Sequence, residues 1–554
     1  MKETHKTSLV YLGIVAFAVL FFLPFLGSVH LFDWDEINFA ESAREMILTG
    51  DYVTVQIDFE PFWEKPPLFF WLQVISMKLF GVNEFAARFP NVICGIVSLL
   101  MLYYLGRQVY GHRFGLFWIL SYGSAILPFF YFKSGIIDPW FNLFIFMGVS
   151  WFIFYLDPER EQQRVKNLVL SALFFGLAVL TKGPVAILIF VLCFLIFLGL
   201  RRFRLKTSFG HVALYSGVLA LTGGTWFLLQ VLNGNSHILG DFIQYQLRLF
   251  STGDAGHSGF FGYHFVVVLL GVFPASVIAL KSFSKKSEKT ELQRLYRQWM
   301  YIMFWVVLIL FSIVETKILH YSSLTYFPFT FLAAWVWEKW IDRKIEISVW
   351  QVALILLIAM FYAAVSIGIP LALSNTDWLL SREYAFLDSF VRSSLQAKVH
   401  WSGTEWLIGL FMFLGVLAAC VQILRRNPSG MIILYLVSLL FVSSSMYLFT
   451  DRIEGYTQRT VIKFYESLRG QEVYVNTLGF KSYAHLFYFD KQPGDPDFDD
   501  SIEALMNTPL DRDAYFVMKV NKKERYLEEY PQLEVLRERN GFVFTVKRAG
   551  IGDD

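Results

Sequence analysis

Between residues 33 and 67 the chain reads DWDEINFAESAREMILTGDYVTVQIDFEPFWEKPP. Three acids, Asp33, Asp35 and Glu36, come first, and an acid–base pair, Glu64 and Lys65, stands ahead of two prolines. A carboxylate can orient or deprotonate a nucleophile, which suits Asp35 and Glu36 to acid–base work. An ammonium group at a lipid boundary attracts a headgroup or a phosphate, the chemistry open to Lys65. Glu64 can hold a divalent cation or orient its neighbouring lysine. Pro66 and Pro67 exclude helix there and predict an extended backbone that fixes the direction of both preceding side chains. The ordinary alternative is a solvated acidic flank with a snorkelling lysine.

The elements that must position these groups are apolar. Of 554 residues, 55% are hydrophobic, 18% aromatic and 17% charged, where a soluble domain carries about 25% charged residues. Apolar runs of about 20 residues recur, each long enough to cross a hydrocarbon core as a helix. The fold class expected is a polytopic α-helical membrane protein with about 13 spans, at roughly 8–28, 86–106, 114–133, 139–156, 167–181, 184–200, 212–232, 262–281, 298–314, 321–340, 349–373, 404–424 and 431–449. Lys and Arg concentrate in alternate loops (GRQVYGHR, DPEREQQRVK, RRFRLK, KSFSKKSEKTELQRLYRQ, EKWIDRK, LRRNPSG). Placing these inside puts the N-terminus in the cytoplasm, and an odd span count puts the C-terminal segment outside, with the acids of the first loop. The first apolar run is long and has no small-residue cleavage site, so it reads as a retained anchor rather than a signal peptide. A net charge of +2 gives no reason to expect a nucleic-acid partner. Cys94, Cys193 and Cys420 all lie inside apolar runs and read as packing residues.

The spans occupy residues 1–450, with a first outer loop over 29–85, and residues 451–554 form a separate extracytoplasmic unit. Within the loop, FAESAREMILTG places Glu41, Arg44 and Glu45 opposite apolar and small residues, which predicts a short interfacial helix ended by Gly50. In the C-terminal unit, TDRIEGYTQRTVIKFYESLRGQEVYVNT predicts an amphipathic helix followed by a strand, and AYFVMKV a second strand. LEVLRERNGFVFTVKR predicts two more around an Asn-Gly hairpin turn. Together these make a small α/β domain, read as a lid or docking module.

The stretch DEINFAESAREMILTGDYVTVQIDFEPFWEKPPLFFW resembles the first outer loop of the GT-C membrane glycosyltransferases, and among them the aminoarabinose (lipid A) transferase and protein mannosyltransferase branch. GVNEFAARFPNV, SGIIDPWFNLF with Asp138, AVLTKGPVA with Lys182, and TKILHYSSLTYFP with Lys317 and Tyr321 resemble later segments of the same pattern. The sequence departs from it at Asn38-Phe39, where the family often has Arg-Tyr. It departs again at Tyr245-Gln246, where the aminoarabinose branch has Glu-His ahead of a Gln-Arg-Phe, although Arg248 follows and Asp254-Ala255-Gly256-His257 is kept.

The resemblance implies a GT-C fold in a bacterial inner membrane. It also implies inverting transfer of a sugar from a polyprenyl phosphate donor to a glycolipid such as lipid A, a polysaccharide or a protein, among membrane lipids and at the outer face. It casts Asp35, Asp138 and Glu36 as catalytic acids, and Lys65, Lys182, Arg248, Lys317 and Tyr321 as the phosphate site. Glu64 and His257 are candidate ligands of a divalent metal ion, and no organic cofactor is expected. The competing class is a transporter or lipid-linked sugar flippase. Carriers place ionisable residues at mid-bilayer on broken helices, whereas here the acids and cations cluster in loops of one side.

Overall fold

The computed structural model describes residues 2–204, 207–251, 259–283, 288–381, 388–494 and 501–550. The chain opens with α1 (Lys2–Phe22), then α2 (Asp35–Thr49), a two-stranded hairpin of β1 (Gln56–Ile57) and β2 (Glu60–Pro61), and α3 (Leu68–Phe80). There follow α4 (Glu84–Val109), α5 (His112–Gly123), α6 (Ile126–Tyr131), α7 (Asp138–Leu156), α8 (Arg164–Lys182) and α9 (Val185–Leu200). Next come α10 (Phe209–Gly223), α11 (Thr225–Leu232), α12 (Ile238–Ser251), α13 (Tyr263–Gly271), α14 (Ala275–Ala279) and α15 (Glu291–Ile313). The bundle continues with α16 (Tyr326–Ile341), α17 (Val349–Leu373), the short α18 (Thr376–Leu380) and α19 (Ser389–Leu395), α20 (Trp406–Leu424) and α21 (Ser429–Tyr456).

All thirteen apolar runs fold as helix, but not all as single straight ones. Among the described residues, seven helices are long and apolar enough to cross a membrane, and nine spans result if two bent pairs count as one each. One pair is α10 with α11, bent by 54° at Gly223-Gly224. The other joins α13 to the segment from Ala275, bent by 108° just after Pro274. The run predicted over 114–133 is likewise broken, into α5 and α6. Hydropathy windows see the total apolar length and miss such breaks, because glycine and proline contribute little to the sum while they end helices sterically.

The basic loops meet at one end of this bundle. Arg113 binds Glu338 and Asp342 from α16, Arg201 binds Glu291 at the start of α15, and Arg297 binds Glu288. Helices α7, α8 and α15 run from there to the other end, where Asp138, Lys182 and Leu310 face a common cavity.

The C-terminal unit follows α21 with α22 (Arg459–Leu468), β3 (Tyr474–Leu478), α23 (Ala484–Phe489), β4 (Ala514–Lys519), β5 (Glu534–Arg539) and β6 (Phe542–Lys547). The strand order is β3-β4-β6-β5, with β3 and β4 parallel and the remaining neighbours antiparallel. Asn540 and Gly541 have φ of 50° and 83°, the left-handed pair that a two-residue hairpin turn requires. The predicted Asn-Gly turn, the helix and all of the predicted strands are present.

Helix α2 differs from its expectation in an instructive way. It ends at Gly50, whose φ is 72°, as the sequence predicts. It has no solvated face over most of its length. Every residue from Glu36 to Met46 is buried, and its core merges with that of the C-terminal domain through Phe464, Tyr465, Phe487 and Tyr488. The charged face is covered because the domain brings its own partners. Arg44 binds Glu41 through two bonds of 2.8 and 2.6 Å and reaches Asp490 at 3.0 Å and the Lys491 carbonyl at 2.8 Å.

Candidate active site

One cavity of about 1270 Å³ gathers most of the charged groups that the sequence singled out. Asp33, Asp35, Glu36, Glu64, Lys65, Asp138, Lys182, Arg248, His320 and Tyr321 all line it. Apolar side chains complete its walls. Leu188 and Ile189 on α9 lie with Leu310 and Phe311 on α15, while Phe25, Phe130, Met446 and Tyr447 come from the ends of α1, α6 and α21.

Asp35 opens α2, and its carboxylate remains 33% exposed to the cavity. Glu36, the next residue, points the other way. It receives Arg88 Nε at 2.9 Å and Nη2 at 2.8 Å, the Gly135 N–H at 2.5 Å and the Phe32 N–H at 2.9 Å. Both its oxygens are engaged, so its geometry is that of a clamp rather than of a base. These contacts hold the Glu36 carboxyl below the usual carboxylate range against the opposing effect of burial. Arg88 also donates to the carbonyls of Leu26, Val29 and His30. Asn91, one turn further along α4, donates to the carbonyls of Ser134 and Ile136 at 2.6 Å. This network ties the segment that delivers Asp35 to the segment that delivers Asp138.

Asp138 begins α7 and is buried. A span-start Asp before proline could be a simple helix cap, yet its Oδ1 accepts from Lys182 Nζ at 2.6 Å instead. Lys182 ends α8, and Gly183 turns the chain with φ of 91°, a conformation that only glycine adopts readily. The Lys182 ammonium also stands 5.2 Å from the centre of the Tyr321 ring. His320 Nε2 lies 3.6 Å from Asp35 and 3.5 Å from Asp138. The sequence marks this histidine as a candidate beside Tyr321 and Arg248 but assigns it no role, since one histidine beside a Tyr in an apolar segment carries no spacing signal.

Lys65 is 12% exposed, 4.0 Å from Glu64 and 3.3 Å from the Tyr245 hydroxyl on α12. The expected extended backbone is absent here. Trp63 and Glu64 form a turn and Pro67 has φ of −85° and ψ of −7° at the start of α3, a conformation that proline's fixed φ permits. Burial pulls the Lys65 ammonium below its ordinary value; Glu64 opposes that effect and Lys182 adds to it. Arg248 stacks 5.2 Å from the same Tyr245 ring, so α12 presents a cation and a phenol together.

Lys317 is placed differently from the expectation. Its ammonium donates to the Ser312 carbonyl at 2.7 Å, to Phe311 at 3.3 Å and to Val314. The last carbonyls of α15 lack helical partners and take this lysine as a cap, and it does not line the cavity. His257 lies outside the described residues. Among the described residues, no group of three His, Cys, Asp or Glu side chains could hold a metal ion. Where the aminoarabinose branch has a Glu-His pair, this chain has Tyr245, whose hydroxyl faces Lys65. Among the described residues, Glu64 has no further His, Cys, Asp or Glu side chains grouped with it as metal ligands.

The C-terminal domain adds one residue that the sequence did not suggest. Lys481 lines the cavity, with its ammonium 5.2 Å from the Trp34 ring and 5.4 Å from the Tyr483 ring. Asp33, also in the wall, is pushed up to about 6 by burial.

Known proteins are similar to this chain in sequence and fold. Residues 64–226 match the family described as dolichyl-phosphate-mannose-protein mannosyltransferase. The undecaprenyl phosphate-alpha-4-amino-4-deoxy-L-arabinose arabinosyl transferase of Photorhabdus laumondii is 27% identical over 56% of this chain and 55% of its own. The second such enzyme of Proteus mirabilis is 29% identical over 48% of both chains, and the first is 25% identical over 82% of both. The chain thus spans about half the length of some of these relatives and four fifths of another. The structure of ArnT from Cupriavidus metallidurans bound to undecaprenyl phosphate superposes with a TM-score of 0.76 over 99% of each chain, at 20% identity. That agreement establishes the GT-C fold end to end. By fold and by sequence, the chain is related to the GT-C glycosyltransferases of the aminoarabinose transferase and protein mannosyltransferase branch.

Proposed function

We propose that the protein is an inverting glycosyltransferase that moves a sugar from a polyprenyl phosphate to a glycolipid acceptor at the outer face of a bacterial inner membrane. The observation that carries this reading is the single cavity in which Lys65, Lys182 and Arg248 meet the carboxylate of Asp35 between apolar walls. A lipid-borne donor needs apolar walls for its tail. Its phosphodiester, with one negative charge, leaves as a phosphate monoester with a second charge developing. Cations fixed where that charge appears favour the transition state over the bound substrate.

Asp35 is the exposed carboxylate beside them and takes or orients the acceptor hydrogen. Attack opposite the leaving phosphate inverts the anomeric centre in one step. Glu36 serves this step indirectly by anchoring Asp35 through Arg88. Basic loops at the opposite end of the bundle support a reading with the N-terminus in the cytoplasm and the cavity outside. A flippase remains the competing reading, and it is separated by whether the sugar–phosphate bond breaks.

The test uses purified protein, undecaprenyl phosphate-alpha-4-amino-4-deoxy-L-arabinose as donor and a total lipid extract as acceptor. Release of undecaprenyl phosphate and a new glycolipid mass are the expected products. Asp35→Asn is expected to lower turnover by roughly 100-fold or more while undecaprenyl phosphate still binds. Normal turnover in that variant would refute Asp35 as the base. Donor that crosses a bilayer uncleaved in liposomes would favour the flippase.

A further inference from the structure

The pattern that this chain resembles fixes a lysine and a tyrosine in TKILHYSSLTYFP and leaves the three positions between them open, the last of them directly before the tyrosine. Here that position is His320, which the fold carries into the cavity between two acids. We propose that His320 is the proton acceptor behind Asp35, taking the acceptor's proton by relay while Asp138 balances the charge that results. This inference rests on the transfer reading above and adds the destination of the proton.

Three observations converge. His320 Nε2 lies 3.6 Å from Asp35 Oδ2 and 3.5 Å from Asp138 Oδ2, so one ring nitrogen faces both carboxylates. The two acids are unlike. Asp138 Oδ1 is held by Lys182 at 2.6 Å, while Asp138 Oδ2 is buried and, among the described residues, accepts no hydrogen bond. A buried carboxylate oxygen without a donor is unfavourable, and a proton on His320 Nε2 would face it. The backbone that carries the ring is also held in place. Asn142 on α7 donates to Ser323 Oγ at 2.7 Å, Ser323 donates to the His320 carbonyl, and the Tyr321 N–H donates to the Ile318 carbonyl at 3.1 Å.

The step balances as follows. The acceptor oxygen bonds to the anomeric carbon, and the bond from that carbon to the phosphate oxygen breaks with its electron pair on the phosphate. The acceptor's proton passes to Asp35 and from it to Nε2 of a neutral His320. The imidazolium then pairs with Asp138 until the proton is released to water or to the departing phosphate monoester. Free Asp35 starts the next cycle ionised, which a carboxylate alone achieves only after losing its proton in a site crowded with charge.

The test is a set of kinetics on the full chain with the undecaprenyl phosphate-aminoarabinose donor and lipid-extract acceptor. His320→Gln is expected to lower kcat by about 100-fold, with donor KM and undecaprenyl phosphate affinity changed by less than about twofold. Wild-type kcat should fall as pH drops below the ordinary imidazole value of ~6.5, since burial lowers the value of this ring and a protonated ring cannot accept. His320→Gln should lack that limb. The groups facing the ring are Asp35 from α2, Asp138 from α7, Lys182 from α8, Lys65 from the loop before α3 and His264 from α13. Lys182→Met should therefore displace the limb, and a limb that belongs to His264 would survive in His320→Gln.

Added imidazole should partly restore His320→Ala, a result that a purely structural role would not give. Unchanged kcat in His320→Gln, a retained acid limb, or a rise in donor KM alone would overturn the proposal, the last by making His320 a donor-binding cation. Loss of turnover in Asp35→Asn together with normal His320→Gln overturns only the relay. Normal turnover in Asp35→Asn overturns the transfer reading itself.

Discussion

At the scale of single residues, the cavity separates side chains that look equivalent in sequence. Asp35 and Glu36 are adjacent acids, yet one faces the cavity and the other binds Arg88 and two backbone N–H groups. Lys65 and Lys317 are both lysines beside apolar runs, yet one lines the cavity and the other caps α15. Burial lowers the pKa of Lys65, so its charge is only partly secured. An arriving phosphate restores the balance by favouring the protonated form. Undecaprenyl phosphate affinity should therefore decline as pH rises through this depressed value, before the ordinary lysine range near ~10.4. Lys65→Met should weaken binding about tenfold, or ~1.4 kcal/mol, and abolish that pH dependence. A binding titration from neutral to alkaline pH reads both, and an unchanged slope in the variant would assign the phosphate to another cation. The motif residues Asp35, Lys65, Asp138 and Lys182 were legible because short-range patterns mark them. The roles of Glu36, Lys317 and His320 were not, because each depends on a partner far away in sequence or on the direction of a side chain.

At the scale of elements, two networks hold the cavity open. Arg88 joins α4 to the segment before α2 through five bonds, including both of those to Glu36. Arg88→Ala leaves a buried carboxylate and three carbonyls without that donor, so a loss of ~3–5 kcal/mol is expected. Thermal unfolding in detergent measures it, and a melting temperature within a degree or two of wild type would show the clamp to be dispensable. The second network joins α2 to the β1–β2 hairpin. Glu45 accepts from the N–H groups of Asp58 and Phe59 at 2.7 and 2.9 Å. Burial and the neighbouring Glu41 push its carboxyl from 4.5 up to about 9. A raised carboxyl pKa contributes stability below the unfolded value and loses it as pH climbs toward the folded one. The α2 contact should thus weaken between about pH 5 and 9, and Glu45→Gln should flatten that part of the stability profile. Hydrogen exchange of α2 against pH would follow it; a slope retained in the variant would assign the titration elsewhere. The helix itself was legible from its spacing and its Gly50 stop. Its burial was not, since the cover comes from residues some 450 positions away, as in the Leu31 N–H bond to the Tyr488 hydroxyl.

At the scale of the whole molecule, apolar runs foretold where helices form but not where they break. The bends at Gly223-Gly224 and Pro274 come from local sterics within runs whose summed hydropathy is uniform. The small sheet domain was legible down to its Asn-Gly turn. Its contribution of Lys481 to the cavity was not, because nothing in a lysine between a phenylalanine and a serine announces a site one domain away. The assembled molecule is a membrane bundle with a docked cap, closed around one cavity where lipid-compatible walls meet opposed charges. The central claim is that sugar leaves a lipid phosphate there. Mass spectrometry of glycolipids from cells carrying the wild-type chain, Asp35→Asn or no chain tests this most directly. The account predicts a sugar-bearing glycolipid mass in the first alone, with Asp35→Asn inserted in the membrane at normal level. The same mass at the same abundance in all three would contradict it.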